Sequence, residues 1–163
     1  MGGFVSLLLF HKYLKSIGIM EKLFKLISDA QASLFLLFQK TWVYHWHIVG
    51  SDFKQIHDLF GDQYVSIQEE VDRISEHMRF LGIKPISSLS RVVEVSGVGE
   101  AKTNISEMEM IEDLLEGHKK IIDMLGEVAD EAETQKSRGT VNLVDDLNES
   151  HGKFVWMLRS FLE

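Results

Sequence analysis

Between Phe53 and Leu81 the apolar residues fall at Phe53, Ile56, Phe60, Tyr64, Ile67, Val71, Ile74, Met78 and Leu81. That three-four alternation describes one stripe along a long helix. Before it, Leu23, Leu26, Ala30, Leu34, Leu37 and Thr41 continue to His45 on a second apolar line, which predicts a helix from Glu21 to Ile48. Val49-Gly50 ends it, and Ser51 or Asp52 caps the next. The chain holds a single proline in 163 residues, and 45% of them are hydrophobic. Both facts favour a folded, helix-rich chain of one domain over a disordered one.

Four residues in this region can carry chemistry. At roughly 100° per residue, His57, Asp72 and Glu76 share one flank of the second helix, but they do not share a depth. Fifteen residues separate His57 from Asp72, about 22 Å at ~1.5 Å per residue, so one helix cannot bring them to a common ion. An antiparallel copy can. With a two-fold axis near Tyr64 and Val65, the histidine end of one subunit meets the carboxylate end of the other. His45 then lies at the same height as His57 on the neighbouring helix. Two imidazoles and two carboxylates suit iron or zinc, and the nitrogen-oxygen mixture suits redox-active iron.

HWHIVGSDF, then IH, LF, a tyrosine and DRISEHMRFLGIKP resemble the signature of the Dps proteins, the mini-ferritins named for DNA protection in starved cells. The similarity continues through SSLSRVVEVSGVGE and GTVNLVDDLNESHGKFVWMLRSFLE, and covers residues 21–163. It implies an all-α fold, a ferritin-like four-helix bundle with a long crossover between the second and third helices, assembled as a hollow dodecamer. It also implies oxidation of Fe(II) by peroxide or dioxygen at sites between two-fold-related subunits, with ferric mineral stored inside. His45, His57, Asp72 and Glu76 match the family's iron ligands, and Trp46 matches the aromatic residue beside them. Zinc is a possible substitute for iron.

One position departs from the pattern. Where the family has an acidic ligand four residues after the second histidine, this chain has Gly61. Asp58 and Asp62 point roughly 60° and 100° away from the missing direction, which makes Asp58 the better angular substitute. Loss of a carboxylate removes an oxygen ligand and negative charge, so the site is expected to hold a hard cation less tightly. A second reading follows: a shell-forming structural or DNA-protecting protein whose iron site is impaired. His47 and His77 replace the motif's usual Asn and Arg and are read as solvent-facing.

The rest of the chain sets the context. Residues 1–20 are read as an N-terminal extension and residues 21–163 as the Dps-like domain. The apolar run Val5 to Phe10 is too short to span a bilayer and lacks the flanks of a secretory signal. Lys12 and Lys15 are too few for a DNA-binding tail, and the net charge of −8 argues against broad nucleic-acid affinity. No cysteine is present, which excludes disulfides and fits a reducing cytoplasm. Gly82 and Pro85 stop the second helix, and residues 83–105 form the crossover. In that stretch RVVEV alternates like a strand, but it has no partner.

A capping box, Ser106 with Glu109, opens the third helix, whose line is Met108, Ile111, Leu115, His118, Ile122, Leu125, Ala129 and Ala132. The fourth is expected from Thr140 to Leu162, on Val141, Val144, Leu147, His151, Phe154, Leu158 and Phe161. A metal centre built inside the bundle on His118 and His151 would need a Glu three residues before each. Neither has one, so both are read as polar members of the core or of an interface. Asp130, Glu131, Glu133, Asp145 and Asp146 cluster near the last loop, where solubility is their ordinary role and guidance of iron the alternative.

Overall fold

Proline is absent from every long helix, and in the computed structural model the chain forms α1 (Gly2–His47), α2 (Phe53–Phe80), α3 (Leu89–Val95), α4 (Glu107–Thr134) and α5 (Arg138–Arg159). The structure describes the backbone of residues 2–163 and the side chains of residues 20–163. No strand occurs among the described residues. The two hairpins, α1 with α2 and α4 with α5, pack together through α1 on α4 and α2 on α5. This is the expected four-helix bundle with its long connection between the second and third bundle helices.

The helix boundaries follow the local chemistry. Ser106 Oγ accepts from the Glu109 backbone N–H, and the Glu109 side chain accepts from the Ser106 N–H, which completes the capping box. At the end of α2, Gly82 takes φ 81°. There the Gly82 N–H donates to Arg79 O and the Ile83 N–H to Met78 O, the paired bonds of a left-handed helix stop. Gly50 closes the α1–α2 turn at φ 134°, a backbone conformation that L side chains rarely adopt, so a substitution there is strained.

One expectation is corrected. Helix α1 begins at Gly2 rather than near Glu21; Gly18 is the only glycine between Phe4 and Met20, and an interior glycine costs only about 1 kcal/mol. How the side chains of the extension pack lies outside the described residues. The short apolar piece of the crossover forms the helix α3. Its Val92 is buried with Ala32 and Leu36 on α1, and Ile86 and Val95 pack around them.

The main core runs the length of the bundle, with Tyr44 and Phe60 as its largest fully buried side chains. On α2 the buried line is Ile56, Phe60, Gln63, Ile67, Glu70, Ile74 and Met78. Gln63 and Glu70 therefore take interior positions that the apolar pattern assigned to Tyr64 and Val71. No helix of the described residues is long and apolar enough to cross a membrane.

Candidate metal centre

His45 lies in the last turn of α1, and its ring reaches across to α2. Its Nδ1 stands 2.8 Å from the carbonyl oxygen of His57. A carbonyl only accepts, so Nδ1–H is the donor and the lone pair is left on Nε2, free for a cation. The two imidazoles lie one over the other, with ring centroids 3.8 Å apart and 33° between planes. Phe53 stacks on the far side of His57 at 4.9 Å, and Tyr64 meets His45 edge-on at 5.2 Å. The sequence thus brings His45 and His57 together, as the shared height predicted.

The His45 ring lies over Gly61: a Cβ at that position would stand 3.4 Å from His45 Cε1, in ordinary van der Waals contact. Asp58 does not fill the gap. Its carboxylate pairs with Lys54, which holds its pKa below the usual range, and lies 3.8 Å from His57 Nδ1 on an exposed surface.

Asp72 and Glu76 are exposed further along the same uninterrupted α2. Among the described residues of one protomer, no group of three or more His, Asp or Glu converges on a common point. Asp72 lines a surface groove of about 580 Å³ with Val65, Gln68, Glu69, Val71 and Ser75. Several large apolar groups are also exposed: Trp42 at 39%, Phe53 at 43%, Val65 at 47% and Trp46 at 57%. Val65 sits midway between His57 and Asp72 along α2, beside the expected position of a two-fold axis near Tyr64 and Val65.

The family model of the ferritin-like domain matches residues 24–163. Over 140 residues the chain is 32% identical to an uncharacterized low temperature-induced protein of Nostoc, covering 85% of this chain and 78% of the relative. It is 28% identical to the DNA protection during starvation protein of Helicobacter pylori, covering 86% and 99%. The crystal structure of Dps from Thermosynechococcus elongatus superposes with a TM-score of 0.87 at 25% identity, covering 90% of this chain and 93% of that one. This chain belongs to the Dps family of ferritin-like proteins.

Within this Dps-family chain the bundle interior holds a second polar cluster. His118 and His151 are fully buried with their Nδ1 atoms 2.7 Å apart, so one donates its proton to the lone pair of the other. His118 Nε2 stands 3.3 Å from Gln63 Oε1, and His151 Nε2 stands 2.8 Å from Glu70 Oε2. The buried position of both histidines agrees with their reading as polar core residues. Their partners on α2 were missed, although Gln63 and Glu70 fall on the three-four line through Ile56, Phe60, Ile67 and Ile74.

Burial, with the neighbouring His151, pushes the His118 pKa well below 6.5. Protons therefore bind this imidazole only in the unfolded chain. Its contribution to stability is complete above pH ~6.5 and falls as the pH drops below that, with a limiting slope of about 1.4 kcal/mol per pH unit for one group. We expect urea denaturation between pH 7.5 and 5.5 to show this slope, and His118→Gln to remove it.

His47 is exposed, as expected. His77 is not solvent-facing: its Nε2 meets Thr140 Oγ1 at 2.9 Å and its ring stacks on Phe80, because α2 lies against the start of α5 there. Partial burial lowers its pKa. In the acidic group, Glu131 is buried against Lys22 at 2.5 Å, and Asp146 pairs with Arg73 at 2.6 Å. Asp130, Glu133 and Asp145 are left facing solvent.

Proposed function

We propose that this protein is an iron-oxidising and iron-storing mini-ferritin. In this reading its shell is a dodecamer whose two-fold interfaces each carry two equivalent sites. Family membership supports a role in iron storage and DNA protection. The observation that carries the finer reading is the His45–His57 pair, stacked at 3.8 Å with His45 Nε2 free and its other nitrogen anchored on a backbone carbonyl. An anchored imidazole is set for a cation before the cation arrives. The exposed apolar groups on the same face, with Asp72 in the groove beyond Val65, support a second copy of this chain as the occupant.

Fe(II) is then the substrate, held by His45 and His57 of one subunit and by Asp72 and Glu76 of the other. Neutral imidazoles and carboxylates bind Fe(II), and the carboxylates favour Fe(III) more strongly, which assists loss of the electron to peroxide or dioxygen. Zinc would occupy the same donors without redox chemistry and act as an inhibitor.

The test is anaerobic addition of Fe(II), then hydrogen peroxide, with ferric absorbance followed in time. Removal of one of two imidazole ligands by His57→Ala is expected to slow the reaction at least about tenfold. Equal rates in the two proteins would take His57 out of the mechanism. The second reading, a shell-forming protein with an impaired iron site, rests on Gly61 and predicts intact assembly with slow oxidation in the wild type itself.

A further inference from the structure

Lys40 is the one buried lysine or arginine among the described residues. Its side chain is only 4% exposed, yet it lines a cavity of about 210 Å³ between α1, the crossover and α4. An ammonium carries three N–H donors. Asp113 Oδ2, 2.7 Å away, takes one, and no other described residue accepts from Lys40. Its remaining donors are left unspent in a nearly dry place, which is costly unless something else accepts from them.

The groups around the cavity suit an anion. Lys102 stands 2.9 Å from Asp113 Oδ1, and Lys120, exposed on the cavity wall, has no ion-pair partner among the described residues. Burial lowers the Lys40 pKa against the pull of Asp113, and the like charges of Lys102 and Lys120 lower it further. Carboxylates line the space as well, but most are committed. Asp113 is engaged by Lys40 and Tyr44 on Oδ2 and by Lys102 on Oδ1, and Glu116 pairs with Lys119 at 2.6 Å. Glu100 alone is uncommitted, and it is exposed. Positive charge is therefore in excess around Lys40. Gly99 lines the same space, and a Cβ there would meet nothing within 4 Å, so a ligand oxygen can come up against bare backbone.

We propose that this cavity binds a tetrahedral oxyanion of the phosphate class, held by the ammonium groups of Lys40, Lys102 and Lys120. The donors come from three separate elements, α1, the crossover and α4. They approach from different directions, which a tetrahedral anion matches better than a planar carboxylate does. The anion gives Lys40 acceptors for its spare N–H groups and offsets the repulsion among the three lysines. Because it ties α1 to the crossover and to α4, its binding stabilises the folded chain as its concentration rises. The site does not depend on the iron-oxidising reading.

The test is isothermal titration of the metal-free assembled protein, at fixed ionic strength in chloride buffer, with inorganic phosphate, glycerol 3-phosphate and acetate. Saturable phosphate binding is expected, with acetate at least about tenfold weaker. Lys120→Ala is expected to weaken phosphate at least about fivefold, and Glu100→Gln to strengthen it about twofold or more. Lys84→Ala makes the same change of net charge at an exposed lysine outside the cavity. It is expected to leave the affinity unchanged, which separates this site from the overall charge of the chain. Lys40→Met combined with Asp113→Leu, which strands no charge, is expected to abolish binding. Tighter binding of the free ion than of the ester would name inorganic phosphate as the ligand, and the reverse order an esterified phosphate.

No saturable heat from either phosphate, as from a cavity that holds only water, would overturn the site. So would equal phosphate affinity in the wild type and Lys120→Ala, or acetate bound as tightly as phosphate.

Discussion

Replacing Gly61 by aspartate is expected to raise the affinity of the assembled protein for Fe(II) by about tenfold or more, or roughly 1.4 kcal/mol. Position 61 is one helical turn beyond His57, on the same side of α2, and a Cβ there would lie 3.4 Å from His45 Cε1. That is ordinary van der Waals contact with a single imidazole, so the backbone need not move. The new carboxylate adds an oxygen donor and a negative charge beside two neutral nitrogens. Gly61→Ala is the control: it brings the same Cβ and removes the helix cost of glycine, worth about 0.5–1 kcal/mol of stability, but adds no ligand. Isothermal titration with Fe(II) under anaerobic conditions checks the contrast. A gain for aspartate and none for alanine assigns the native site as short of one ligand. No gain for either would mean that another group already completes the coordination.

The fold was legible because its signals are local and redundant. The apolar lines, the Ser106–Glu109 box, the Gly82 stop and the isolation of Pro85 all point to the same four helices. The His45–His57 pairing was legible for a related reason: a short turn between antiparallel helices fixes the height of residues on either side of it. What pattern reading could not supply is polar burial. Gln63 and Glu70 were hidden because a carboxylate and an amide score as surface residues until a partner is known. Their partners, His118 and His151, lie on helices more than fifty residues further along the chain. His77 escaped for the same reason, since its environment is set by Thr140. Gly61 was visible as a departure from the family's pattern, but the sequence showed only what it lacks. The structure adds that the ring of His45 lies directly over it.

Asp113→Ala is expected to cost about 3–5 kcal/mol of stability, the range found when one partner of a buried ion pair is removed. Lys40 on α1 is nearly buried, its side chain 4% exposed, and its ammonium stands 2.7 Å from Asp113 Oδ2 on α4. Tyr44 donates to the same oxygen at 2.7 Å, and Lys102 of the crossover stands 2.9 Å from Oδ1. The Lys102 backbone N–H then donates to the Tyr44 hydroxyl at 2.9 Å, which closes the network. Burial would raise the Asp113 carboxyl, but hydrogen bonds from Lys40, Lys102 and Tyr44 outweigh it and hold the pKa below the usual carboxylate range. Burial also lowers the Lys40 ammonium against the pull of Asp113 and pushes the Tyr44 phenol up. Removing the carboxylate therefore leaves an ammonium in the core without a counter-charge and a hydroxyl without its acceptor. Chemical denaturation reads the loss. Lys40→Met combined with Asp113→Leu is expected to recover most of it, because no charge is then stranded; failure to recover would mean that the Lys102 and Tyr44 bonds, rather than the Lys40 charge, dominate. The consequence reaches the metal centre, since Tyr44 immediately precedes His45. With the last turns of α1 released from α4, Asp113→Ala is expected to weaken Fe(II) binding as well, whereas the double variant, which restores packing but not the Tyr44 bond, separates anchoring of His45 from global stability.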